Sequence, residues 1–276
     1  MTTTRTPIPC GKPQGEDKTG DSLRQYDIRA LDSATKYPSI PTYHRIRGKG
    51  LLQEDPIVFS GKVHLSEKIH GTNARIILDP TGDYVIGTRD QLIHARGDYI
   101  VNPVMGLVEE LRDLAERLTP PIAGVQVHYL EVYGGRVTDG SRWYAGNRTT
   151  TGHRLFDVAT VPPEVLARPI EWISSWREGG GQTYFARGGE LEEWAEREQV
   201  ALVPDLGWVD ATDLPTDVEG MASYLTQVLP TTQAALDSEA TGTTEGIILR
   251  SADRVMIAKA RHEDYTRTLK RRAKSS

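Results

Sequence analysis

The stretch Glu67-Lys68-Ile69-His70-Gly71-Thr72-Asn73 decides how the rest of this chain is read. Before it, Val63, Leu65 and Glu67 alternate with Lys62, His64, Ser66 and Lys68, the period of a strand with two unlike faces. After it, Ala74 to Leu78 and Asp83 to Thr88 read as two more strands. Asp79-Pro80-Thr81-Gly82 supplies the turn between them. Lys68 therefore stands where a strand gives way to a glycine-containing turn, a place where backbone can approach a bound molecule. An ordinary β-turn with a solvated lysine carries the same local signature, so the reading depends on what lies elsewhere.

Residues 125–133 predict a strand that puts Glu131 on one face with Val125, Val127, Tyr129 and Tyr133. A carboxylate on a mostly apolar face requires a partner. Glu245 opens a strand running to Arg250, behind a loop rich in Thr and Gly. Arg254 to Ala260 predict the next strand, with Lys259 and Arg261 on the side that also carries Val255 and Ile257. Two adjacent cations repel, so a fold keeps them together for an anion or for acidic partners. Taken singly, each feature also has a plain structural explanation: a buried ion pair, a strand-end glutamate, a solvated strand end.

Helical periodicity is clearest over 101–118, where Val104, Leu107, Val108, Leu111, Leu114 and Leu118 fall on one face. Residues 162–176 (interrupted at Pro169), 188–198 and 216–229 also read as helices, and 153–158 as a short strand. Strands outnumber βαβ units, which predicts an α+β domain of largely antiparallel sheets flanked by helices. Residues 1–21 read as a flexible tail, 22–61 as a weakly patterned lead-in, 22–265 as one domain and 266–276 as a basic tail.

The 276 residues are 38% hydrophobic, enough for a real core, and carry a net charge of −5. A polynucleotide would therefore be gripped by a local patch rather than by the overall charge. Arg267, Lys270, Arg271, Arg272 and Lys274 form such a cluster, and a solubilising tail is the competing explanation. The lone Cys10 excludes an internal disulfide and any cysteine-based zinc cluster. The N-terminal residues lack the apolar segment of a signal peptide, and no apolar run is long enough to span a membrane, which points to the cytoplasm. P-loop and H-E-x-x-H strings are absent. Trp172, Trp176, Trp194 and Trp208 read as packing residues.

Five separated blocks resemble, in order, the nucleotidyltransferase motifs of DNA ligases, RNA ligases and mRNA capping enzymes. Lys68-Ile69-His70-Gly71 resembles motif I, and Leu130-Glu131-Val132-Tyr133-Gly134 resembles motif III. Leu155-Phe156-Asp157-Val158 resembles motif IIIa, and Glu245 through Arg250 resembles motif IV. Ile257-Ala258-Lys259-Ala260-Arg261 resembles motif V, with Arg261 where a second lysine is usual. His70, Asn73 and Arg89 are similar to the RNA ligase 2-type branch. DNA ligases usually carry Asp at the place of His70.

The resemblance implies an adenylation domain that uses ATP and Mg²⁺ (or Mn²⁺) and acts on RNA, or DNA, ends. Lys68 would become joined to AMP, with Lys259 and Arg261 beside the phosphates. Glu245 would take the metal, Glu131 a ribose hydroxyl and Phe156 the face of the purine. Asn73 and Arg89 would contact sugar or phosphates, and Glu67 or backbone near it the base edge. His70 would meet pyrophosphate or a later phosphate. Few residues follow Arg261, so no separate C-terminal domain is expected and a partner protein could supply one. A DNA ligase, a GTP-using capping enzyme and a non-catalytic nucleic-acid binder are the competing readings. Retention of Lys68 and both motif V cations favours an enzyme.

Overall fold

A computed structural model of the chain describes residues 22–101, 106–179 and 184–274. The expected tail over 1–21, and Val104 of the first predicted helix, lie outside the described residues. The lead-in contains α1 (Ile28–Ala34) and the two-stranded pair β1 (His44–Arg47) and β2 (Leu51–Pro56). Asp27 caps α1 by accepting from the backbone N–H groups of Arg29 and Ala30, as short polar side chains do at helix starts.

Two larger sheets form the body. One has the order β10-β3-β11-β12, from β3 (Lys62–Lys68), β10 (Asp205–Asp210), β11 (Gly246–Ser251) and β12 (Ile257–Arg261). The other has the order β7-β6-β5-β4-β8-β9. Its strands are β4 (Thr72–Leu78), β5 (Tyr84–Thr88), β6 (Leu92–Ala95), β7 (Asp98–Tyr99), β8 (Val125–Gly134) and β9 (Thr151–Val161). Every ladder in the two sheets is antiparallel, as the α+β expectation requires.

Helices cover the outer faces. Leu107, Leu111 and Leu114 of α2 (Leu107–Arg117) and Leu191 and Trp194 of α5 (Glu190–Glu198) pack with Ile76, Ile86 and Leu130 of the six-stranded sheet. On its other face, α1, α3 (Pro163–Leu166) and α4 (Ile170–Gly179) pack with Ile77, Val127 and Tyr129. The four-stranded sheet buries Val63, Leu65, Ile247 and Leu249 against α6 (Val218–Val228) and α7 (His262–Ala273). Among the described residues no helix is long and apolar enough to cross a membrane.

Several expectations change. The segment read as a basic tail from residue 266 is the body of α7, whose Tyr265 and Thr268 are buried. Thr268 Oγ1 accepts from the N–H of Leu52, and Arg272 bonds the carboxylate of Glu54, so the helix is stitched to β2. Acidic residues in its first turn and basic ones in its last complement the helix dipole. Arg254 to Met256 form a turn rather than the start of β12, with Arg254 at φ 60°. Of the four tryptophans read as packing residues, Trp194 is buried, whereas Trp172 and Trp208 are 44% and 54% exposed.

Candidate functional site

The turn Ile69-His70-Gly71 carries the chain from β3 in one sheet to β4 in the other. A cleft of about 700 Å³ opens between the sheets beside this crossing. Its geometry follows from alternation on β3. Val63, Leu65 and Glu67 face the buried side, while His64, Ser66 and Lys68 face the cleft. At Gly71 an added Cβ would lie 2.4 Å from the carbonyl oxygen of Val132, so the turn packs against β8 only with glycine. The Gly71 N–H donates to Glu131 Oε1 (3.0 Å), and the His70 N–H donates to the buried Tyr144 hydroxyl (2.6 Å).

Lys68 Nζ donates to Glu245 Oε2 at 2.8 Å. β11 pairs with β3 on one side and β12 on the other, so Gly246 lies opposite both Lys68 and Arg261. This register draws Glu245, Lys68 and motif V together from segments far apart in the chain. Burial opposes ionisation of Glu245, but the nearby His70 and the hydrogen bond and charge of Lys68 hold its carboxyl below the usual range. His70 also bonds Asp139 (Nε2 to Oδ1, 2.8 Å) and lies against the ring of Trp143. The Glu245 carboxylate 3.6 Å from its Nδ1, outweighing partial burial and helped by Asp139, raises His70 to about 9.

Facing Lys68, β4 and β8 present Asn73 and Glu131, which are direct register partners. Asn73 Oδ1 is buried without a hydrogen-bond partner among the described residues, an acceptor that a ligand hydroxyl or amide would satisfy. Burial, countered in part by the Lys68 charge, pushes the Glu131 carboxyl up to about 7. Phe156 occupies a bulge in β9: the β8 register steps from Asp157 to Leu155 and leaves it unpaired. The bulge turns Phe156 to the cleft wall, where Tyr37 meets it edge-on with centroids 5.0 Å apart.

The motif V cations separate. Lys259 lines the cleft without an ion pair among the described residues, and burial plus the charges of Arg261, Lys68 and Arg89 hold its ammonium below the usual range. Arg261 instead donates twice to Asp264, at 2.8 and 3.0 Å, in the first turn of α7. The acidic partner that two adjacent cations require is thus supplied by the helix that follows. Arg89 lines the cleft and donates to Ser39.

Glu67, expected with the backbone near it at the base edge, lines the cleft, and its carboxylate is already hydrogen-bonded. Its carboxylate, on the strand face opposite Lys68, accepts from the Thr232 hydroxyl and the Gln233 N–H. Arg267 and Arg272 are likewise held by Glu263, Asp264, Gly50 and Glu54. Tyr37, Asp139, Tyr144 and Arg250 escape the sequence reading. Only Arg250 left a signal there, because alternation puts it on the same face as Ile248.

Among the described residues there is no cluster of three or more side chains able to hold a metal ion.

A model of the RNA ligase family matches residues 61–271, a span that holds all of these cleft elements except the Tyr37 wall. The chain belongs to the RNA ligase family. Three solved structures of a Naegleria gruberi RNA ligase share the fold of this RNA ligase family member. One, with pyrophosphate, gives a TM-score of 0.53 at 11% identity, covering 98% of this chain and 65% of that one. A variant with ATP and manganese gives 0.50 at 12% identity, covering 85% and 62%. An unliganded variant gives 0.51 at 12% identity, covering 83% and 63%. The chain therefore spans less than two thirds of the ligase it resembles. No curated protein sequence matches it.

Proposed function

We propose that this protein is an ATP-dependent RNA ligase that joins 5′-phosphate and 3′-hydroxyl ends through a lysyl-AMP on Lys68. The observation that carries the reading is the inter-sheet cleft, which collects Lys68, Glu131, Asn73, Phe156 and Lys259 around one space in a member of the RNA ligase family.

In the first step Lys68 Nζ attacks the α-phosphorus of ATP, a P–N bond forms, and the bond to pyrophosphate breaks. AMP then passes from Lys68 to a 5′-phosphate, and a 3′-hydroxyl displaces it as the strand closes. Splitting the reaction through a covalent intermediate replaces one difficult displacement with easier ones. Phe156 stacks on the purine, and its bulged position with Tyr37 behind it keeps the ring in place. Glu131 and the orphaned Asn73 Oδ1 accept from the nucleotide's hydroxyl groups. Lys259, which forms no ion pair among the described residues, stabilises charge on the phosphate oxygens, and Arg89 adds to this from the opposite wall. Arg261, tied to Asp264, contributes longer-range field. The Naegleria ligase was captured with ATP and manganese, which supports ATP and a divalent ion such as Mg²⁺ or Mn²⁺ here. Held at Glu245, such an ion would add positive charge where phosphate charge accumulates.

Incubation with α-labelled ATP and Mg²⁺, followed by denaturing electrophoresis, tests the assignment. Label should stay on the protein, be released by acid as a P–N bond is, and be absent from Lys68→Ala. Undiminished labelling of Lys68→Ala would overturn it.

A further inference from the structure

A second groove, of about 840 Å³, adjoins the nucleotide cleft. The two meet at one carboxylate: Glu245 bonds Lys68 of the cleft and lies 3.6 Å from Nδ1 of His70, which lines the groove. One wall carries His70, Trp143, Thr243 and Thr244. The other is a single face of α7, where Thr266, Lys270 and Lys274 recur at four-residue spacing.

The charge of the groove is not spread evenly. Its two acidic residues each have a cationic partner, Asp139 in His70 and Glu263 in Arg267. Lys270 and Lys274 are exposed and form no ion pair among the described residues. They are one helical turn apart, about 6 Å along the axis, a length that spans roughly two phosphates of a nucleic-acid strand. The chain as a whole is acidic, so a polyanion is held only where cations are left uncompensated in this way.

We propose that this groove holds the backbone of the RNA strand presented to lysyl-AMP, with Lys270 and Lys274 gripping its phosphates and the His70 end nearest the reacting nucleotide. The inference rests on the RNA ligase reading of the cleft. It separates four of the five basic residues of the cluster into two classes. Lys270 and Lys274 serve RNA. Arg267 and Arg272 hold the helix to Gly50, Leu52 and Glu54. A role limited to complementing the helix dipole would not make that distinction, because Arg272 belongs to the same last turn as Lys270.

The test uses the full chain and a 5′-phosphorylated single-stranded oligoribonucleotide, with binding followed by fluorescence anisotropy across a salt series. Lys270→Ala/Lys274→Ala should flatten the slope of log affinity against log salt by about 1.4, from about 0.7 per phosphate contact on a single strand. At low salt its affinity should fall roughly tenfold or more. Lys270→Arg/Lys274→Arg should keep the wild-type slope, and Arg272→Ala should keep wild-type affinity. Self-adenylation by the double alanine variant should match wild type. A folded double alanine variant with unchanged slope and affinity overturns the proposal. So does a raised KM for ATP with unchanged RNA binding, which would make the groove a channel for pyrophosphate. Failure of wild type to self-adenylate would strike the ligase reading instead, since the binding series reads the groove independently.

Discussion

Replacing Arg254 with alanine should destabilise this protein more than any single change on its surface. The Arg254 side chain is 3% exposed, and its Nε and Nη2 both donate to Asp157, which is fully buried. Nη2 also donates to the Tyr37 hydroxyl at 3.1 Å, and the guanidinium lies 3.6 Å from the centroid of Phe185. Removing one member of a buried pair leaves the other charge without compensation, at about 3–5 kcal/mol. In a chain of 276 residues that lowers Tm by about 5–9 °C. The double variant Arg254→Met/Asp157→Leu removes both charges and should recover most of the loss. Arg254 sits at φ 60°, in the left-handed region, so Arg254→Gly should lose about 1 kcal/mol less than Arg254→Ala. Thermal and denaturant melts of the four proteins at one pH decide the matter. Because Phe156 adjoins Asp157 and touches Tyr37, the alanine variant should also self-adenylate with a higher KM for ATP. A loss below about 1 kcal/mol, the range of an exposed pair, would refute the reasoning, as would a double variant no more stable than the single.

Two further outcomes are expected. Deleting residues 267–276 should destabilise the fold, not merely weaken RNA binding, since it leaves the Leu52 N–H without Thr268; an unsatisfied buried donor alone costs about 1–3 kcal/mol, and an unchanged melting curve would contradict the packing of α7. Nucleotide-free protein should lose stability as pH rises toward 9. His70 is raised from 6.5 to about 9 in the folded state, so its contribution is complete below about 6.5 and vanishes as the imidazolium deprotonates. His70→Gln should flatten that part of the profile, and an identical slope in wild type and variant would count against the His70–Glu245–Asp139 arrangement.

Local alternation of residues is enough to mark the strands that bear the cleft residues and their order along the chain. Period-two alternation is local, so β3, β4, β8 and β11 could be read from Lys62, Ala74, Val125 and Gly246 onward. The amphipathic stripe of α2 was legible for the same reason. Glu67 shows where local pattern stops being enough. Alternation separates it from Lys68, but only the docked loop at Thr232 and Gln233 decides that its carboxylate is occupied. Arg261 shows it again: two adjacent cations signal a need for anions, and the folding of α7 answers it with Asp264. That helix was hidden because its buried side carries Tyr265 and Thr268 rather than a run of aliphatic residues. It is stable through contacts with β2 and α6, and tertiary packing of this kind commonly outweighs intrinsic helix propensity. Tyr37 and Arg254, far apart in the chain, meet at Asp157 only when the 251–256 turn is laid against the six-stranded sheet. A buried charge is tolerable only where its counter-charge arrives, and that arrival is a property of the tertiary structure alone.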